Sequence, residues 1–182
     1  DGRLIHLQAL EPERISGLTV VDSTKGSNLF KNAVKEQNSA IVYTQREVNK
    51  CLPLADNVRK DFDAFCLLDG ATMEIPAIQM VEGIPVRGKA DILRIDDNHI
   101  IDLKTTSDSS RFEQAIDHWC YDLQGALYLH LFNCTRFSFI VLDKITGEVS
   151  VRELSQEELK RGQAKLNKAI NIFKDGKEKE QR

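Results

Sequence analysis

The sequence predicts an α/β fold, a mixed central β-sheet flanked by helices, and three features predict it. Two neighbouring apolar runs, residues 90–95 and 100–104, are separated by the turn-forming Asp96-Asp97-Asn98. A long helical pattern at 111–132 follows them, and a further strand pair with a capped helix closes the chain. Paired strands with period-two patterning, alternating with helical periodicity, are the signature of a layered sheet-and-helix fold.

In chain order, residues 3–10 read as the end of a helix, with Leu4, Leu7 and Ala9 apolar and Pro12 stopping it. Residues 27–38 form a short capped helix. Thr44-Gln45-Arg46-Glu47 is a capping box that opens a helical stretch to about Leu68, with a break or kink at Pro53. Residues 72–80 and 84–95, joined at Glu82-Gly83, make a hairpin that 100–105 extends into a three-stranded antiparallel meander. Residues 107–110 cap the helix at 111–132, which carries Trp119, Tyr121, Leu123, Leu127 and Leu131. Residues 136–142 and 148–153, around Thr146-Gly147, form a second hairpin, and Ser155-Gln156-Glu157-Glu158 caps a final helix. The mixed-sign stretch 174–182 reads as a solvated tail.

A chain of 182 residues with 41% apolar content buries a core without disulfide or metal staples, so residues 1–182 are expected to form one domain. No apolar run approaches a membrane span and no basic start precedes an apolar centre, which points to a soluble, cytoplasmic protein. The four cysteines, Cys51, Cys66, Cys120 and Cys134, lack C-x-x-C spacing and lie in apolar or helical stretches, as reduced core thiols do. The net charge of −3 is not that of a basic nucleic-acid binder. Any cationic surface must be local, and Arg87, Lys89, Arg94, Lys104 and Arg111 cluster in sequence around the first hairpin.

The chemistry sits at the ends of those strands. Asp91 and Asp102 lie inside apolar runs, where an unpaired carboxylate costs several kcal/mol. The antiparallel pairing lets them converge, and two convergent carboxylates suit a hard divalent cation such as Mg²⁺. Lys104 follows Asp102 by two residues, so it shares that strand face and can hold a water or a phosphate. The alternative is a pair of strand-end aspartates in turns beside a surface lysine. Gly88 leaves room for another backbone or a phosphate to approach. His6 is a metal ligand or a packed helical histidine. Glu74, at the start of the hairpin, is on pattern alone as readily an edge-strand glutamate facing solvent. The family resemblance of the motifs quoted next implies that it supports the site through a water or pairs with Lys104 or Arg87. Gln124 and Tyr128, four apart, share one helical face, where they brace the sheet as a buried polar pair or, as the same resemblance implies, line the site.

Gly88-Lys89-Ala90-Asp91 followed by Ile101-Asp102-Leu103-Lys104-Thr105-Thr106 resembles the PD-(D/E)XK nuclease superfamily, and within it the RecE-like (exonuclease VIII-type) phage and prophage exonucleases. Gly2-Arg3-Leu4-Ile5-His6, Leu10-Glu11-Pro12-Glu13 and Tyr121-Asp122-Leu123-Gln124 with Tyr128 match that family in the same order. One departure is Gly-Lys-Ala-Asp where the family has Gly-Arg-x-Asp, which keeps the charge and loses a bidentate fork. A second is that the family usually has an N-terminal segment ahead of the histidine helix, so the sequence is expected to be part of a longer chain. The resemblance implies a restriction-endonuclease-like core. It also implies one Mg²⁺, replaceable by Mn²⁺, on Asp91, Asp102 and the Leu103 carbonyl, with His6 as a further ligand. Lys104 and Glu74 would serve catalysis, and Gln124, Tyr128, Lys89 and Arg87 would support DNA binding. The implied activity is digestion of double-stranded DNA from its ends, 5′ to 3′, by a ring-shaped homo-oligomer encoded by a phage or prophage in a bacterial host cell. The product is a 3′ single strand for a RecT-like annealing protein. Two alternatives stay open: a RecB-like repair or CRISPR-adaptation nuclease, and a nuclease-fold protein that binds DNA without cutting.

Overall fold

The structure is a computed structural model and describes residues 2–37 and 41–180. Its centre is a five-stranded sheet in the order β3-β4-β5-β6-β7: Thr72–Val81, Ile84–Arg94, His99–Thr106, Arg136–Asp143 and Val149–Glu153. All neighbours are antiparallel except β5 and β6. That parallel pair requires a crossover, supplied by α5 (Phe112–His118) and α6 (Tyr121–Phe132). The expected mixed sheet, the meander and the second hairpin are all present.

Strand alternation builds a core on each face. Ile101 and Leu103 point towards α1 (Gly2–Leu10), α3 (Gln45–Lys60) and α4 (Phe62–Leu68), joining Leu4, Ile5, Ala55 and Ile140. Ile100 points the other way, joining Phe137, Phe139 and the aromatic side of α5 and α6. Asp102 and Lys104 share the parity of Ile100 and therefore face α6.

Several elements depart from the sequence reading. Pro53 lies within an unbroken α3, where burial of Cys51, Ala55 and Val58 outweighs the lost N–H bond. The helix ends instead at Asp61, whose side chain accepts the Ala64 N–H and starts α4. The single helix expected at 111–132 is split, because Cys120 adopts a left-handed conformation (φ 55°) between α5 and α6. Packing against α7 (Gln156–Glu180) holds this break: Asp122 is fully buried and pairs with Arg161 at 2.5 Å and Lys165 at 2.9 Å. Residues 174–180 continue α7, so the expected tail is helix as far as it is described, and 181–182 lie outside the described residues. A two-stranded parallel sheet, β1 (Thr19–Val21) with β2 (Val42–Thr44), has strands too short to carry a readable period, and α2 (Asn28–Glu36) lies between them, capped by Ser27. Cys66 and Cys120 are exposed and only Cys51 is fully buried, which corrects the reading of four core thiols. Among the described residues no helix is long and apolar enough to cross a membrane.

Candidate active site

The site forms where two strands part. β4 and β5 pair only through Arg94↔His99, Leu93↔Ile100 and Ile92↔Ile101. Beyond Ile92, β4 follows β3 while β5 follows β6 to Thr106↔Asp143. Asp91 is the first residue past the fork. Its Oδ2 accepts the Leu103 N–H at 3.0 Å, taking the place of a main-chain acceptor. The mouth of the fork is a cleft of about 1000 Å³, lined in part by His6, Glu74, Lys89, Asp91, Asp102 and Lys104.

Two of these lining residues, Asp102 and Lys104, form a closed set with Gln124 behind them. Gln124 of α6 donates from Nε2 to Asp102 Oδ1 at 2.5 Å and accepts from Lys104 Nζ at 2.9 Å. Lys104 Nζ also stands 2.8 Å from Asp102 Oδ2 and 4.6 Å from the centre of the Tyr121 ring. Gln124 and Tyr128 do not act as one pair: Gln124 contacts Asp102 and Lys104, while Tyr128 packs against Gly88 and Phe137. A Cβ at Gly88 would lie 2.8 Å from Leu131, so the space that glycine leaves is filled by α6.

The electrostatics are those of crowded carboxylates. Burial, and then the nearby charge of Asp102, push the Asp91 carboxyl up to about 7. His6 Nδ1 lies 3.4 Å from Asp91 Oδ2. Burial holds the His6 imidazole below its ordinary value, despite the opposing pull of Asp102, and thus favours the neutral ring that a metal needs. Asp102 Oδ2 is buried and, apart from the charge of Lys104 2.8 Å away, has no hydrogen-bond partner. A buried carboxylate oxygen without a hydrogen-bond donor, beside a second carboxyl whose pKa burial raises to about 7, is a place a divalent cation would fit. Among the described residues no three His, Cys, Asp or Glu side chains close into a ready metal cage. The donors are two carboxylates, an imidazole and the Leu103 backbone, a set that suits a hard cation retaining water.

The remaining expected residues divide. Glu74 does reach the cleft, but its partner is Lys89, not Lys104 or Arg87. Arg87 is exposed and stands outside the cleft lining. Arg94 is structural, binding Asp97 and the carbonyls of Cys66 and Asp69, and Arg111 pairs with Asp108. The cationic lining is completed by Arg3 and Arg14, which the sequence reading missed. Arg3 was recoverable, since it lies three residues before His6 and shares its helical face.

A model of the PDDEXK-like domain of unknown function (DUF3799) matches residues 2–182. The chain belongs to this family. Among solved structures, this DUF3799 domain resembles a "putative exonuclease" from Eubacterium rectale, with a TM-score of 0.61 and 14% identity. That match covers 79% of this chain and 59% of that one, so the chain spans about three fifths of its length. A phage related exonuclease from Haemophilus somnus 129PT aligns with a TM-score of 0.41 and 14% identity, over 90% of this chain and 89% of that one. No curated protein matches the chain.

Proposed function

We propose that this DUF3799 domain is a divalent-metal-dependent exodeoxyribonuclease that digests double-stranded DNA from its ends. The observation that carries the reading is the closed set of Asp102, Gln124 and Lys104 beside Asp91, with Asp91, Asp102 and Lys104 lining the cleft between diverging strands. Asp91, Asp102 and the Leu103 carbonyl would hold Mg²⁺, or Mn²⁺ in its place, with His6 as a further ligand. Such a cation, when bound, polarises a phosphate and offsets charge on the leaving oxygen.

The protein's own groups supply positioning. Lys104 has three N–H donors, of which Asp102 and Gln124 engage two at most, leaving one to orient a water or steady the phosphate as charge develops. Gln124 fixes that ammonium and the Asp102 carboxylate together. Glu74 holds Lys89 at the rim, where it can exchange its carboxylate partner for a DNA phosphate. The exonucleolytic, 5′ to 3′ mode, the RecT-like annealing partner and a ring-shaped homo-oligomer rest on the resemblance to RecE-like enzymes. The acidic chain favours a ring as well, since enclosure retains a duplex without a large cationic surface.

Linear duplex labelled at either end and incubated with and without Mg²⁺ tests the reading. Loss of the 5′ label first, only with metal, is expected. Asp102→Ala and Lys104→Ala should each abolish cleavage, and calorimetric titration with Mn²⁺ should lose a site only in Asp102→Ala. Full cleavage by either pure variant would overturn the assignment.

A further inference from the structure

The β3–β4 hairpin extends well beyond the cleft, and its two faces differ. Ala77, Val81, Ile84 and Val86 point inward and pack with Leu131, Leu166 and Ile170 of α6 and α7. The alternate residues point outward, and strand register sets them side by side: Pro76 opposite Lys89, Ile78 opposite Arg87, Met80 opposite Pro85. Ile78 is 75% exposed and Met80 60%. Arg87 is exposed and has no ion-pair partner among the described residues. The acidic groups nearest this face are already engaged: Glu74 with Lys89, and Glu82 at the hairpin turn with Lys174.

On β4 this face runs continuously into the cleft. Arg87 and Lys89 flank Gly88, which faces α6, so both point away from that helix, and Lys89 also lines the cleft with Asp91. A strand advances about 6.8 Å every two residues, so Arg87 stands one step outward from Lys89, which shares the cleft lining with Asp91. Its apolar neighbours, Ile78 and Met80, are of the side-chain types that pack against sugars and base edges of a duplex.

We propose that the outer face of the β3–β4 hairpin is a duplex-binding arm. Arg87 takes a phosphate next to the one held at the cleft, and Ile78 with Met80 rests on the sugar flank of the double helix. This rests on the nuclease reading above. Cationic charge without an internal partner, continuous with the cleft, favours DNA over another protein as the occupant.

The test is fluorescence anisotropy with a blunt labelled duplex and the matching single strand, in Ca²⁺ to prevent cleavage, on the full chain. Arg87→Ala should weaken duplex binding about tenfold and lower the slope of log affinity against log salt by about one. The double variant Ile78→Ser with Met80→Ser should weaken it by a similar factor, with the salt slope and the melting temperature unchanged because both side chains are exposed. Single-strand affinity should change less than duplex affinity in both. Wild-type duplex affinity in both variants would overturn the arm while leaving the nuclease reading intact. Absence of duplex binding by the wild type would overturn the nuclease reading itself. A fall in particle mass by light scattering in the double variant, with duplex affinity retained, would make the face a contact between copies of the chain and also overturn the arm.

Discussion

Asp91 accepts the backbone N–H of Leu103 where the β4–β5 ladder ends, so a side chain closes a hydrogen bond that a carbonyl would close elsewhere in the sheet. The same carboxyl is buried beside Asp102, and it is this setting that raises its proton affinity. The fork therefore couples strand separation to the charge state of the site.

A pH dependence follows from that coupling. In the metal-free fold Asp91 retains its proton up to about pH 7, whereas in the unfolded chain it releases it near pH 4. The unfolded state is thus favoured progressively as pH rises through that window, and the penalty is fully present above it. Asp91→Asn keeps an acceptor for Leu103 and removes the titration. The variant should be more stable than the wild type at pH 8 by on the order of 2 kcal/mol, roughly 4–8 °C in Tm, with little difference at pH 4. Saturating Mn²⁺ should raise the Tm of the wild type and leave the variant nearly unmoved. Thermal melts at the two pH values check this, and a gap that is the same at both would refute it.

Much of this arrangement could be read from the chain. Period-two alternation placed Asp102 and Lys104 on one face, and the turn at residues 96–98 brought Asp91 close. What escaped was set by tertiary contacts. The break at Cys120 depends on the buried Asp122 and its partners on α7, far away in sequence. The grip of Gln124 on Asp102 and Lys104 was beyond pattern reasoning, which cannot say whether a polar pair on a buried helical face lines a site or braces a sheet. Clustering in sequence also misled: Arg94 and Arg111 lie near the hairpin in the chain but have structural partners, whereas Arg3 and Arg14 come from distant segments to line the cleft.

Gln124 offers the sharpest test of the internal bracing. Gln124→Met keeps the length of the side chain and removes both polar contacts, leaving Asp102 Oδ1 without its donor and Lys104 without one of its two anchors. Outer partners of this kind are typically worth about 10–100-fold in activity. Single-turnover cleavage at saturating Mn²⁺ should fall by that factor, and adding more metal should not restore it. A wild-type rate under those conditions would remove Gln124 from the site.

Glu74 reaches the cleft through an unusual backbone. Its φ is +58° within β3, a left-handed conformation that costs a non-glycine residue about 1–2 kcal/mol. Strand pairing skips it, passing from Met73↔Ile92 to Ile75↔Ala90. The side chains on either side then join opposite cores, Met73 below α1 and α3, Ile75 against α5 and α6. The twist that separates them is what turns the Glu74 carboxylate towards Lys89 and the cleft. Comparing Glu74→Gly with Glu74→Ala isolates the backbone, since both lose the ion pair and only alanine retains the strain. Glycine's greater freedom in the unfolded chain works against it, so the margin is modest: the glycine variant should be the more stable by about 1 kcal/mol in urea unfolding. An alanine variant of equal or greater stability would mean that β3 can rebuild as ordinary extended strand, and that the direction of Glu74 is imposed by Lys89 rather than by the chain that carries it.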